Sequence, residues 1–141
     1  MFLLDTNACI RILNGSSPAV AARLQATSPS DVRLCAVVKA ELLYGARRSA
    51  RVEDNLRLLS RFFAPLVSLP FDDRCADEAG LIRGELERSG TPIGPSDLLI
   101  AATARANDLV LVTHNRREFE RVPGLRIDDW EAPAPMRGPG R

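Results

Sequence analysis

The first ten residues, "MFLLDTNACI" (1–10), decide how the rest of the chain is interpreted. Residues 2–4 predict the start of a buried strand, which ends on Asp5, Thr6 and Asn7. A carboxylate at the end of a buried strand is costly unless a partner holds it. One interpretation is capping of the next helix, because such side chains accept hydrogen bonds from free helical N–H groups. The other is a ligand site, because open α/β sheets bind ligands outside the carboxyl ends of their strands.

Beyond this stretch, short apolar runs alternate with amphipathic segments. The strands are predicted at 2–5, about 33–36, 65–70, 109–113 and 125–128. The helices are predicted at 8–13, from Pro18, in 39–50, at 52–63, at 72–89, in 97–108 and at 116–122. This alternation is typical of an α/β fold with a mainly parallel central sheet, flanked by helices on both faces. We expect one domain over residues 1–130 and a disordered, Pro/Gly-rich tail over 131–141.

Composition limits the class of protein but does not indicate its partner. The chain has 19 basic and 18 acidic residues, so net charge predicts neither a nucleic acid nor a membrane as its partner. Lys39 is the only lysine, and arginine is the better bidentate phosphate ligand. The three cysteines lack metal-site spacing and fit a reducing compartment. Without a signal peptide or an apolar span, we expect a soluble, cytoplasmic protein that does not contact the membrane.

Three acidic residues lie in unusual surroundings: Asp5, Glu41 in "VVKAELLYG" and Asp97 in "GPSDLLIAATA". Each has an ordinary interpretation. Glu41 could lie on a helix surface, and Asp97 could complement a helix dipole after an N-cap at Ser96. In a parallel α/β domain, however, strand ends and the following helix starts gather at one edge of the sheet. Three carboxylates gathered there would repel each other, and a hard divalent cation such as Mg²⁺ or Mn²⁺ removes that repulsion.

Four motifs in order make the pattern specific: "LLDTN", "KAELLYGARRS", "PIGPSDLLIAATA" and "LVTHNRREFERVPGLRIDDW". From residue 2 to about 130 the chain resembles the PIN-domain ribonucleases, and among them the VapC toxins of VapBC toxin–antitoxin pairs. The resemblance implies a PIN-like fold and a Mg²⁺-dependent endoribonuclease, in which Mn²⁺ can substitute. It also implies a structured RNA substrate (tRNA or rRNA), a cognate VapB-type antitoxin, a homodimer, and a heterotetramer or larger assembly with the antitoxin.

The resemblance also implies a catalytic quartet of Asp5, Glu41, Asp97 and Asn115. Asp5 and Asp97 would hold the metal, and Glu41 and Asn115 would do so directly or through water. Asn115 stands where many PIN domains carry an aspartate, so the expected pocket has three formal negative charges. A metal-activated water would leave a 5′-phosphate and a 3′-OH.

The neighbouring polar residues are assigned supporting roles. The residues expected to orient the carboxylates or close a helix start are Thr6, Asn7, Ser96 and Thr113. Candidate RNA-binding residues, which could equally form solvated helix faces, are Arg47, Arg48, Arg116 and Arg117, with Arg51 and Arg121 open to the same two interpretations. His114 could be a general base or a packing residue. Tyr44 and Trp130 could stack on bases, with packing favoured for Trp130.

Other functions fit the sequence less well. An aspartyl-phosphate phosphatase needs a second aspartate where the chain has Asn7, and a receiver domain needs a later lysine than Lys39. The main alternative is a PIN-like scaffold that binds RNA or a partner without cleaving. The helical hairpin over residues 37–63 has more apolar side chains than one short face needs, which predicts an isologous dimer.

Overall fold

The computed structural model describes residues 1–132. Five strands form one sheet in the order β3-β2-β1-β4-β5, and every neighbouring pair is parallel. The strands are β1 (Phe2–Leu4), β2 (Val32–Cys35), β3 (Val67–Leu69), β4 (Val110–Val112) and β5 (Ile127–Asp128). The predicted α/β fold with a parallel sheet is therefore confirmed.

Seven α-helices connect the strands of the described residues. They are α1 (Thr6–Asn14), α2 (Pro18–Ala26), α3 (Ala36–Arg47), α4 (Val52–Phe63), α5 (Asp73–Arg88), α6 (Pro95–Ala106) and α7 (Arg116–Phe119). A single 3₁₀ turn (Pro29–Asp31) precedes β2. Helices α5 and α6 pack against each other along much of their length.

The core lies on both faces of the sheet. Successive strand residues point to opposite faces, and the adjacent pair Leu3 and Leu4 is fully buried. The adjacent pair Leu111 and Val112 on β4 is equally inaccessible. Both faces of the central strands are therefore covered by helices, as a parallel sheet requires.

The strand order places a topological switch point at the middle of the sheet. From β1 the chain proceeds to β2 and β3 on one side, and β4 and β5 lie on the other. The switch point lies between β1 and β4, where the N–H of Asp5 donates to the carbonyl of Val112 at 3.1 Å. Open α/β sheets bind ligands in the crevice that such a reversal leaves at the carboxyl edge.

Three helix starts differ from the prediction. Helix α3 begins at Ala36, directly after β2, rather than near residue 39. Helix α1 begins at Thr6 rather than near residue 8, because Asp5 is its N-cap. Helix α6 begins at Pro95, with Gly94 as its N-cap and proline at the first helical position. Ser96 therefore lies inside the first turn, and the expectation that it caps the helix is wrong.

Within the described residues, no helix is both long and apolar enough to cross a membrane. Residues 133–141, which contain most of the predicted disordered tail, lie outside the described part of the chain. The tail and its boundary remain a prediction.

Candidate active site

A polar pocket of about 270 Å³ opens at the switch point. Its lining residues are Asp5, Thr6, Asn7, Ile10, Glu41, Tyr44 and Asp97. The structure thus brings the three acidic residues that the sequence analysis singled out to one place. We refer to these three carboxylates, together with the neighbouring Glu118, as the acidic pocket.

Asp5 fits both interpretations of the opening stretch at once. Its Oδ1 accepts the backbone N–H of Ala8 at 2.8 Å and so caps α1, and its side chain also lines the pocket. Asp5 is only 4% exposed. Burial raises the pKa of its carboxyl group, hydrogen bonds from Thr113 and Ala8 oppose that rise, and the charges of Glu131 and Glu41 add to it. Capping therefore fixes Asp5 in a place where its charge is costly.

Glu41 reaches the pocket from the middle of α3. The hydroxyl of Thr6 donates to its Oε1 at 2.9 Å, across 35 positions of sequence. Thr6 was expected to orient Asp5 or close the helix start, and the structure shows that it orients Glu41 instead. Asn7 lies exposed in the pocket wall, next to the N-cap.

Asp97 lies in the first turn of α6 and is paired with Glu118 of α7. Burial, the charge of Glu118 and a hydrogen bond shared with Glu118 raise the pKa of Asp97 to about 6, with smaller contributions from Asp5 and Glu41. Below about pH 6 a protonated Asp97 can therefore donate to Glu118, and above that pH the two carboxylates repel each other. Glu118 was not predicted from the sequence, and it adds a fourth carboxyl group to the three that were expected.

Two donors hold Glu118 in place. The backbone N–H of Gly94 donates to its Oε1 at 2.8 Å, and the side-chain amide of Asn115 donates to its Oε2 at 2.8 Å. These hydrogen bonds lower the pKa of Glu118. Asn115 was expected to face the metal, whereas its amide group is directed to Glu118, and its own N–H donates to the hydroxyl of Thr113 at 3.0 Å. Glu118 lies three residues after Asn115, in the helix after β4, and this position in the sequence could have revealed it.

In the described residues, no cationic side chain forms an ion pair with the acidic pocket, although the charge of Arg121 contributes to the lowered pKa of Glu118. Within residues 1–132, no Lys, Arg or His nitrogen lies within 4.0 Å of the carboxylates of Asp5, Glu41, Asp97 or Glu118. A bound cation would complete the local charge balance.

The pocket acids are not the most closely spaced group of possible metal ligands. In the described residues, the one group of three His, Cys, Asp or Glu side chains with ligand atoms within 4.8 Å of one another is His114, Asp129 and Glu131. The pocket carboxylates are more widely spaced. Mg²⁺ usually keeps several waters and binds protein through one or two carboxylates, so it does not require three closely spaced protein ligands.

His114 belongs to that second group, which we call the C-terminal cluster (His114, Asp129 and Glu131, with Arg11). His114 Nδ1 lies 3.0 Å from Oδ2 of Asp129, and Arg11 Nε lies 3.1 Å from Oε2 of Glu131. His114 is not among the residues that line the acidic pocket. This placement favours a structural contact over a general base.

Some of the candidate RNA-binding arginines contact other groups of the protein, and others are exposed. Arg116 pairs with Glu120 at 3.2 Å, and the Arg121 side chain donates to the carbonyl of Pro92 at 3.0 Å. Arg47 and Arg117 are exposed at helix ends. Their contact with RNA stays a prediction.

The two aromatic residues also differ. Trp130 is 1% exposed, with its ring edge-to-face on Phe2 at 5.4 Å, so its packing role is confirmed. Tyr44 is 64% exposed in the pocket wall.

A parallel α/β sheet with carboxylates gathered at its switch point is an arrangement that a metal-dependent nuclease could use on phosphodiester bonds. Comparison with known proteins agrees. The family model "PIN domain" matches residues 2–125, which is most of the chain. The chain belongs to the PIN-domain family and, within it, to the VapC ribonucleases.

The relatives are similar over nearly their whole length. The chain is 42% identical over 129 residues to "tRNA(fMet)-specific endonuclease VapC" of Salmonella typhimurium, covering 92% of this chain and 97% of that protein. It is 35% identical to "Ribonuclease VapC2" of Rickettsia felis, covering 93% and 98%. The structure of DNA-bound VapBC from Salmonella typhimurium superposes with a TM-score of 0.86 at 41% identity, covering 92% of this chain and 97% of that one. The nuclease activity expected from the sequence is thus confirmed as a class.

Proposed function

We propose that this chain is the Mg²⁺-dependent endoribonuclease toxin of a toxin–antitoxin pair, with Mn²⁺ able to substitute for Mg²⁺. The observation that supports this most is the acidic pocket at the switch point, which has no ion-pair partner among the described residues, in a chain of the VapC family. PIN-domain nucleases generally depend on a divalent metal. The four carboxyl groups of the pocket suit a hydrated cation of this kind, which does not require closely spaced protein ligands.

Asp5 and Asp97 would hold the cation directly, and Glu41 and Glu118 would do so directly or through water. Asn115, which we first placed among these ligands, would act by holding Glu118. The bound cation supplies charge neutralisation at the phosphate and lowers the pKa of a coordinated water.

The side chains of the chain itself prepare this site. Ala8 and Thr113 fix the Asp5 carboxylate, and Thr6 fixes Glu41, so two ligands from different elements are held before anything binds. Below about pH 6 the Asp97–Glu118 pair holds a proton, and that proton must leave when a cation binds. Ser96, in the first turn of α6, and Asn7, in the pocket wall, have positions from which they could hold waters.

The test is cleavage of end-labelled RNA with and without chelator. We expect 5′-phosphate and 3′-OH ends, arrest by EDTA and recovery with Mg²⁺ or Mn²⁺, because water rather than the ribose 2′-OH is the nucleophile. A 2′,3′-cyclic phosphate, or cleavage that continues in EDTA, would contradict the metal mechanism. It would also move attention to His114.

The substrate is proposed to be a structured RNA, and tRNA is favoured over rRNA. The support is the name of the Salmonella typhimurium relative, which describes an endonuclease specific for tRNA(fMet). Mapping RNA ends after brief expression of the chain should show new 5′ ends in a tRNA. New ends confined to rRNA would contradict that choice and leave the nuclease class intact.

A VapB-type antitoxin is the proposed partner, as in the relative solved as a VapBC complex. An apolar groove of about 420 Å³ between α1, α3 and α4 adjoins the acidic pocket and shares Ile10 and Glu41 with it. An amphipathic antitoxin segment in this groove would cover the active site. Leu58→Asp, in the groove wall, should weaken co-purification with the antitoxin and preserve the fold, because Leu58 is 42% exposed.

The homodimer remains a proposal, and the helical hairpin exposes fewer apolar side chains for it than the sequence suggested. Leu42 and Leu59 are buried within the chain, and Phe63 packs under Lys39. Leu43 and Leu58 stay exposed on the hairpin. Light scattering at micromolar concentration should show twice 15.4 kDa, and a 15.4 kDa species alone would contradict the dimer.

A further inference from the structure

Tyr44 is the one aromatic residue in the wall of the acidic pocket, and most of its ring faces solvent. It is 64% exposed, more than any other large hydrophobic residue of the described chain. Helix α3 places it three residues after Glu41, on the same face and one turn along. Since the ring adds little to the core, its position beside the carboxylates needs another explanation.

Arg48 extends this face by a further turn. Its guanidinium carbon lies 5.5 Å from the centroid of the Tyr44 ring, within cation–π range. Glu41, Tyr44 and Arg48 follow each other at intervals of three and four residues, which gives one helical stripe with an acid, an aromatic ring and a base. The order runs outward from the pocket floor to the protein surface.

We propose that Tyr44 is a positioning residue for RNA: an unpaired nucleobase beside the scissile phosphate stacks on its ring, and Arg48 contacts the adjoining phosphate. This inference rests on the proposed ribonuclease function and names how its substrate is held. Unstacked bases of single-stranded RNA bind to exposed aromatic faces, and arginine contacts the backbone. The ring thereby sets which phosphate of a loop reaches the carboxylates.

Kinetics of the full-length chain on an initiator tRNA transcript provide the first test. Tyr44→Ala should lower kcat/KM about 10-fold or more, the scale of one lost base–aromatic contact. Tyr44→Phe and Tyr44→Trp should keep most of the activity, because they keep a ring face. Arg48→Gln should weaken binding and reduce its salt dependence by about one phosphate contact. Leu81→Ala, which truncates an exposed side chain on α5, is the matched control and should cleave like wild type.

Fluorescence provides a second test that a merely structural role would not affect. Short oligoribonucleotides with 2-aminopurine at successive positions are mixed with the Asp97→Asn protein and Mn²⁺. One position should be quenched on binding, and adding Tyr44→Leu should remove the quenching at that position alone. An unchanged melting temperature in all the Tyr44 variants would show that the fold is intact.

The outcomes separate this inference from the proposed function. If wild type cleaves and Tyr44→Ala cleaves equally well, the positioning role is wrong and the ribonuclease stands. The role is equally wrong if Tyr44→Phe loses as much as Tyr44→Ala, or if Tyr44→Ala acts by changing the oligomeric state. If wild type cleaves no RNA, the ribonuclease proposal fails, and the position-specific quenching decides on Tyr44 by itself.

Discussion

The chain carries two neighbouring groups of acidic side chains, the acidic pocket and the C-terminal cluster. The two groups differ in how their negative charges are paired. In the C-terminal cluster, Glu131 pairs with Arg11 and Asp129 contacts His114. In the acidic pocket, Asp97 has only another acid, Glu118, against it. The two groups are close enough for the charge of Glu131 to raise the pKa of Asp5.

The difference separates acids that have a counter-charge in the protein from acids that lack one. Ligand atoms lie closest together in the C-terminal cluster, so proximity alone would select it as the metal site. Its charges are already matched by Arg11 and, when protonated, by His114. In the acidic pocket, Asp5 and Asp97 have raised pKa values and no ion-pair partner among the described residues, a costly arrangement that is typical of functional sites.

The largest expected effect comes from removing one charge from the acidic pocket. Asp97→Asn preserves shape and should reduce RNA cleavage by more than about 100-fold, since even groups that only orient a metal ligand contribute about 10–100-fold. It should also raise the melting temperature of the metal-free protein by relieving repulsion with Glu118. Asp77→Asn, at an exposed position of α5, is the control. An active Asp97→Asn variant would show that the pocket is not the catalytic site.

The next test is pH. The pKa of Asp97 is about 6, so calorimetric Mn²⁺ affinity should fall about tenfold per pH unit below that value as protons compete for the site. Between the ordinary value of 3.8 and about 6, the folded state holds a proton that the unfolded state has released. The stability of the metal-free protein should therefore decrease as pH rises through that window. Affinity that is flat from pH 5 to 7.5 would disprove the role of Asp97.

Glu118→Gln should lower activity less than Asp97→Asn does, and it should also change the pH dependence. Glutamine can still accept the N–H of Gly94, so the loop should stay in place. Removing the charge of Glu118 takes away a main cause of the raised pKa of Asp97. We expect activity about 10-fold lower and the acid limb of the pH–rate profile shifted to lower pH. Glu120→Gln on the same exposed helix end is the control, and identical profiles would refute the coupling.

Asn115→Asp introduces the aspartate that many PIN domains carry at this place. The added charge should tighten metal binding, but in the metal-free protein the Asn115 amide donates to Glu118, and a carboxylate there would repel it. We expect the metal-free protein to lose about 1 kcal/mol of unfolding free energy. Urea titration measures this, with Asn115→Ser as the comparison. An Asn115→Asp protein as stable as wild type would show that the contact between Asn115 and Glu118 does not stabilise the fold.

The smallest effect is expected in the C-terminal cluster. His114→Ala removes a contact of an exposed side chain. The loss of cleavage should therefore be far smaller than the roughly 10²–10⁴-fold loss expected for a missing general base. Arg11→Met should cost at most about 1 kcal/mol, because the ion pair is partly exposed. Mn²⁺ stoichiometry should be unchanged in both variants. Loss of a bound Mn²⁺ in either would show that the C-terminal cluster binds metal too.

Local sequence predicted most of the secondary structure. Apolar periodicity depends only on near neighbours, so all five strands and the helices over 52–63 and 72–89 were predicted within a residue or two. The starts at Thr6 and Pro95 differed from the prediction, as did the start of α3 at Ala36, and the first two depend on which residue caps the helix. Capping is set by backbone angles as well as by residue type, and those angles are fixed by the neighbouring strands.

By itself, the sequence determined the parallel α/β class, the family resemblance and the three acids Asp5, Glu41 and Asp97. Each is a matter of residue type in a local pattern. Only the tertiary structure decided that Glu118 joins Asp97 and that Thr6 holds Glu41. These pairs are brought together by strand order and helix packing, which no local pattern encodes. The raised pKa of Asp97 has the same origin, because burial and neighbouring charge exist only once the chain has folded.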